Sequence, residues 1–213
     1  PRDLENNQFL IEFTPYYYKY KSDTSDWYAP SLLLRADIGP DWEISIGSDF
    51  FAYQRPDYGF SDIYLGAKWK FFSNDDFAIA VTGYLDLPTG HKVFREPGIE
   101  PTLAFLASHK IGDFEFGGSI GSTYASDSRG EPYYFDIEMT LELDYIFNKN
   151  NSFGVFSYGY TPDQRNDGSS CITGGATYTH TVNNLYAVGI TLMKGFSGRG
   201  MDWSCMFSHS FTF

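Results

Sequence analysis

Residues 133–147 read YYFDIEMTLELDYIF, and they alternate without a fault: Phe135, Ile137, Met139, Leu141, Leu143, Tyr145 and Phe147 on one parity, Asp136, Glu138, Thr140, Glu142 and Asp144 on the other. Successive side chains of a β-strand point to opposite faces, so this period predicts a strand with one apolar and one acidic face, whereas a helix would smear the acids around its circumference. At about 3.3 Å per residue the run is roughly 50 Å long, far beyond the usual five or six residues. A bilayer core about 30 Å thick would use that length. A soluble sandwich face is the other solution, and one strand alone does not separate the two.

The rest of the chain separates them. With alternation as the ruler and Gly, Pro, Asn and Asp clusters as breaks, twelve strands are expected, over 9–20, 28–38, 42–52, 61–71, 77–87, 99–111, 114–124, 133–147, 152–160, 171–181, 185–193 and 201–213. Five connections are tight (39–41, 73–76, 112–113, 148–151 and 182–184), and those between them, such as KSDTSDW, PTGHKVFREPG, SDSRGEP and TPDQRNDGSS, are longer and polar. An even strand count with short turns at one end and longer loops at the other predicts an all-β fold, a 12-stranded antiparallel transmembrane β-barrel of outer-membrane type, formed by residues 1–213 as a single domain. In hydrocarbon only a closed barrel satisfies the hydrogen bonds of strands.

Composition agrees. No apolar run is long enough for a membrane helix, mean hydropathy is −0.31, and aromatic residues make up 19% of the chain. The rings collect where an apolar band would meet water: Trp42, Trp69, Phe77, Phe114, Tyr145, Phe147 and Phe153 beside the short turns, and Trp27, Tyr28, Tyr124, Tyr134 and Trp203 beside the long loops. The first residues, PRDLENNQ, have no signal-peptide pattern, as expected of a mature chain or of one never exported. The reading places the chain in the outer membrane of a Gram-negative bacterium, with lipid and lipopolysaccharide around it. The terminal strand, HSFTF, ends in Phe213 and resembles the signal read by the bacterial barrel-assembly machinery. A net charge of −12 argues against nucleic acid as a partner. Cys171 and Cys205 fall on strands that are not neighbours, which favours two free thiols over a disulfide.

The polar parity faces a lumen. Its expected lining is Arg35, Asp37, Glu43, Lys68, Lys70, Asp86, Asp136, Glu138, Glu142 and Asp144, with lumenal rings Tyr16, Tyr18, Tyr64, Tyr84, Phe156 and Tyr158; Tyr20 and Phe51 share that parity. Eight strands enclose only side chains and sixteen leave an aqueous channel, so twelve falls between. An excess of carboxylates favours cations if the bore is open. If instead Arg35, Lys68, Lys70 and Lys110 pair with the acids, the interior is filled.

GFSDIYLGAKWKFF (59–72), followed after a short turn by FAIAVTGYLDLPTGHK (77–92), resembles the theme G-x-x-D-x-x-x-G-A-K-aromatic … LPTG of the outer-membrane transporter-like family named for MetA of phenol degradation. The resemblance implies a conduit for small hydrophobic compounds, and it singles out Asp62, Gly66, Lys68 and the Leu87-Pro88-Thr89-Gly90 corner as structural positions. Catalysis is not expected. His109, His180 and His209 fall toward the short-turn ends of their strands, and His91 sits in a long loop with no nucleophile motif around it. Neither metal-ligand spacing nor a phosphate-binding loop is present, so no metal or cofactor is expected. Two functions remain: a channel for small solutes, hydrophobic, aromatic or cationic, or a non-conducting barrel that anchors or partners a larger outer-membrane assembly.

Overall fold

The computed structural model describes residues 8–21, 24–28, 30–54, 57–126, 133–161, 170–197 and 202–213, with the side chains of 16–21, 24–28 and 54 left out. Every regular element among the described residues is a β-strand. The segments are β1 (Phe9–Lys21), β2 (Thr24–Tyr28), β3 (Ser31–Gly39), β4 (Trp42–Ser48), β5 (Phe51–Gln54), β6 (Asp57–Phe60), β7 (Ile63–Ser73) and β8 (Phe77–Leu87). The second half adds β9 (Glu100–Ile111), β10 (Phe114–Ala125), β11 (Tyr134–Asn148), β12 (Asn151–Tyr160), β13 (Cys171–Asn183), β14 (Tyr186–Gly195) and β15 (Trp203–Thr212).

Fifteen segments make twelve staves. β2 and β3 both pair with β1; β5 pairs with β2 and β6, while β4 pairs with β3 and β7. Each of these three staves is therefore one strand interrupted near its long-loop end, at Pro30, at 49–50 and at 61–62. The causes are local. Pro30 has no N–H for the ladder, and Phe50 takes a positive φ of 31°, a conformation that costs a side-chain-bearing residue energy. Antiparallel pairing of β1 with β15 closes the barrel, and Phe9 and Phe213 exchange backbone hydrogen bonds of 3.0 and 2.8 Å across the seam.

The polarity is inside out. Phe135, Leu141, Phe105 and Leu103 are 72, 62, 53 and 54% exposed on the outer face, while Arg35, Glu43, Thr82, Thr173 and Thr191 are buried within. Such a surface is stable only against lipid. At the short-turn end Trp42 stacks on Trp69 at 5.8 Å and Tyr145 lies 5.0 and 4.9 Å from Phe114 and Phe147; at the long-loop end Tyr124 stacks on Tyr133 at 4.7 Å. Three of the tight turns are closed by asparagine side chains: Asn74, Asn148 and Asn183 each accept a backbone N–H two residues on, at 3.0, 2.9 and 2.9 Å.

Two expectations change. The polar loop expected at 21–27 contains β2, and 57–60 forms β6, so the staves rise further on this side than alternation alone indicates. The break before β5 also reverses its parity: Phe51 is 39% exposed and packs against Tyr58 and Phe60 rather than pointing inward, and Ala52 takes the buried face at 1%. A bulge between Phe13 and Tyr16 shifts the register of β1, pairing Tyr16 with Phe207 and Tyr18 with Cys205. The expected lumenal placement of the Tyr16, Tyr18 and Tyr20 rings falls on side chains outside the described set. Cys171 and Cys205 are both free.

Candidate functional site: the lumen

One side of the lumen is filled. On the wall built by β1, β3, β4 and β7, the Arg35 guanidinium donates from Nε to Glu43 Oε1 at 2.8 Å and from Nη2 to Glu43 Oε2 at 2.7 Å. Lys68 Nζ stands 3.5 Å from the same Glu43 oxygen, and Glu12 lies 3.8 Å from Arg35. The Arg35 and Glu43 side chains are only 9 and 11% exposed, so this is a dry, bidentate pair of the kind whose strength lies in geometry. These cations pair with acids on adjacent staves.

Large lumenal side chains lie flat because glycine faces them across the ladder. Tyr64 is registered with Gly47, Tyr84 with Gly66 and Phe156 with Gly175. A Cβ on Gly47 would sit inside the Tyr64 ring, and one on Gly66 would meet the Tyr84 ring at 2.6 Å. Asp144 and Glu138 cover Gly154 and Gly121 in the same way. Tyr64 and Tyr84 meet edge-to-face at 6.2 Å, and the Tyr158 hydroxyl donates to Glu138 at 3.0 Å. Glycine at the lumenal parity, opposite a ring or an acid, is the sequence signal that would have indicated this; alternation does not see it.

The other side is open. A cavity of about 410 Å³ lies in the short-turn half, between Lys68 and Lys70 on β7 and Glu115, Glu142 and Asp144 on β10 and β11. Ala78, Ala80, Gly117 and Gly118 leave the space between the two charged walls unfilled. A second cavity, of about 220 Å³, shares the three carboxylates and continues along β12 and β13 to Asn148 and Asn150 at the short turn. Of the remaining expected lining residues, Asp37 is half-buried beside the 39–41 turn with its carboxylate accepting from Gly39 N at 3.0 Å. Asp136 accepts from the Thr161 hydroxyl at 2.7 Å, and Asp86 is registered with Tyr64 and Glu100 near the long-loop end.

At that end the loop 88–99 is tied down twice. Asp62 accepts from Gly90 N and from Glu96 N, both at 2.7 Å, while Ile63 N donates to Thr89 Oγ1 at 3.0 Å. On the far side Gly98 N donates to Ser126 Oγ at 3.2 Å, and Ser126 in turn donates to the buried Glu100 from N and Oγ at 2.7 and 2.6 Å. Gly90 must be glycine, since a Cβ would stand 2.7 Å from the carbonyl oxygen of Phe60. Asp62 and the LPTG corner are thus one contact, 28 residues apart in the chain. Asp62→Ala is expected to raise tryptic cleavage after the exposed Lys92 and Arg95 at least severalfold in detergent-folded protein, with the barrel itself still resisting SDS; an unchanged digestion rate would show that the loop does not depend on this carboxylate.

The sequence profile of the family described as "Putative MetA-pathway of phenol degradation" matches residues 4–209. The chain belongs to this family. Its members' motif, as it stands here, is accounted for by the contacts above: Asp62 on the loop, Gly66 beneath Tyr84, Lys68 on Glu43. Among solved structures, an outer membrane channel from Pseudomonas putida F1 superposes with a TM-score of 0.79 at 14% identity, over 100% of this chain and 97% of that one. The NanC porin gives 0.72 at 11% identity over 94 and 98% of the two chains. The CymD monoaromatic hydrocarbon channel gives 0.54 at 9% over 98 and 88%. At these identities the likeness establishes the fold, a closed 12-stranded antiparallel barrel of the outer-membrane channel and porin type. No curated protein sequence matches the chain.

Proposed function

We propose that this barrel is an outer-membrane channel for small solutes and that it favours cations. One observation carries the reading: the two cavities share Glu115, Glu142 and Asp144, so the open part of the lumen carries three carboxylates on one wall, while Lys68 of the opposite wall is drawn to Glu43 in the Arg35–Glu43 knot. In a confined bore, where screening is weaker than in bulk water, such a wall stabilises a passing cation and repels an anion. Family membership supports transport, as do the similar channel and porin structures.

Replacing Asp136, Glu138, Glu142 and Asp144 together by Asn or Gln tests this. In planar bilayers under a KCl gradient, the unmodified barrel is expected to pass potassium in preference to chloride, and the variant to lose most of that preference. The loss should be larger at about 0.1 M salt, where the Debye length is about 10 Å, than at 1 M, where it is about 3 Å. Silent bilayers for the unmodified protein would reject the channel and leave the non-conducting anchor of a larger assembly.

A further inference from the structure

The outside of the wall has a recess just below the long-loop rim, on β12, β13 and β14. Ser157, Gly174 and Lys194 are in register across these three strands. Alternation puts all three on the lipid side with Val155, Ile172 and Leu192, which are 44, 50 and 56% exposed. Gly174 contributes no side chain, and a recess of about 470 Å³ remains, bordered by Ser157, Leu192, Lys194 and Phe196. Phe196 is its upper wall. The Phe196 N–H donates to Ile172 O at 2.8 Å and Ile172 N donates to Ser197 Oγ at 3.1 Å, which continues the β13–β14 ladder past Gly195 and holds the chain there. The ring reaches toward Gly174, where a Cβ would stand 2.8 Å from Phe196 Cε2.

Lys194 is exposed, and it makes no ion pair or hydrogen bond with any described residue. It is the ninth of the ten residues of β14. At about 3.4 Å per residue and a strand tilt of about 40°, that puts it roughly 20 Å above the short-turn girdle, near the upper edge of an apolar band about 25 Å tall. A lysine at that height turns its ammonium up into the headgroup layer and leaves its methylenes on the apolar wall. An ammonium at phosphate level gains from an anion, and a recess empty of side chains gains from hydrocarbon. A phosphorylated, acylated lipid supplies both in one molecule. We infer that this recess is a binding site for the phosphorylated glycolipid of the outer leaflet, lipopolysaccharide, with an acyl chain laid over Gly174 between Leu192 and Phe196 and a lipid phosphate on Lys194. The site lies outside the wall and is independent of whether the lumen conducts.

The probes are diphosphoryl lipid A and the same lipid with both phosphates removed, titrated onto the detergent-folded barrel and counted on the intact protein by native mass spectrometry. The unmodified barrel is expected to retain the phosphorylated form at a concentration about tenfold lower than the other, the effect of one hydrogen bond between charged groups. Lys194→Gln should abolish that preference. Lys149→Gln, which removes an exposed lysine from the short turn at the opposite rim, should keep it. Gly174→Leu fills the recess and should weaken retention of both forms severalfold. Ser157→Leu, which fills it from β12, takes its place if heat-modifiable gel mobility shows that Gly174→Leu has not folded. Retention of neither lipid, equal retention of both, or a preference that survives Lys194→Gln overturns the inference, as does a preference that Lys149→Gln removes equally. Retention unchanged by filling the recess overturns it as well.

Discussion

Glu43→Leu is expected to lower folding stability by about 3 kcal/mol, the lower end of the range for breaking a buried ion pair by removing one partner. The loss arises because Arg35 is left with its guanidinium buried and two charge-assisted hydrogen bonds unmade, not because the pair itself contributes that much. Glu12, 3.8 Å away, remains to take up part of the charge, which is why the lower end applies. The companion Arg35→Met/Glu43→Leu removes both charges and fills their volume, and it should recover most of the loss. Urea titrations of folding into phospholipid vesicles measure both. A double variant no better than Glu43→Leu alone would mean that the knot stabilises the barrel in its own right.

Leu141→Arg is expected to cost about 2 to 4 kcal/mol in the same titration, because Leu141 is 62% exposed on the outer face at the middle of the fifteen-residue β11 and meets the bilayer midplane there. Its neighbour Glu142 lines the lumenal cavity, so Glu142→Gln should stay within about 0.5 kcal/mol of the parent. The contrast between adjacent residues is the sharpest measure of register, since a slip of one would exchange their faces. Equal costs at 141 and 142 would place β11 the wrong way round.

The same contrast locates what was legible in the residues and what was not. The faces of β11 were readable from its alternation because the two-residue period belongs to each strand separately, whatever its neighbours do. The asparagine turns were readable for a similar reason, their hydrogen bonds closing within three residues. Where alternation failed, a local irregularity had changed parity. The break at 49–50 turned Phe51 outward. The partners of the charges were not readable either. Arg35 could have met any of a dozen acids, and its choice of Glu43 depends on how β3 and β4 are staggered.

The chain by itself therefore determined the class: alternation repeated twelve times, tight turns at one end and an apolar outer parity leave no other architecture that satisfies both backbone and lipid. Only the tertiary structure decided how the interior is divided. A knot on β1, β3, β4 and β7, a cavity bounded by β7, β10 and β11, and a loop tied to Asp62 all join residues far apart in sequence. Their meeting is set by the stagger of neighbouring strands and by which positions carry glycine opposite a large side chain. Those are properties of pairs of strands, and no single strand contains them.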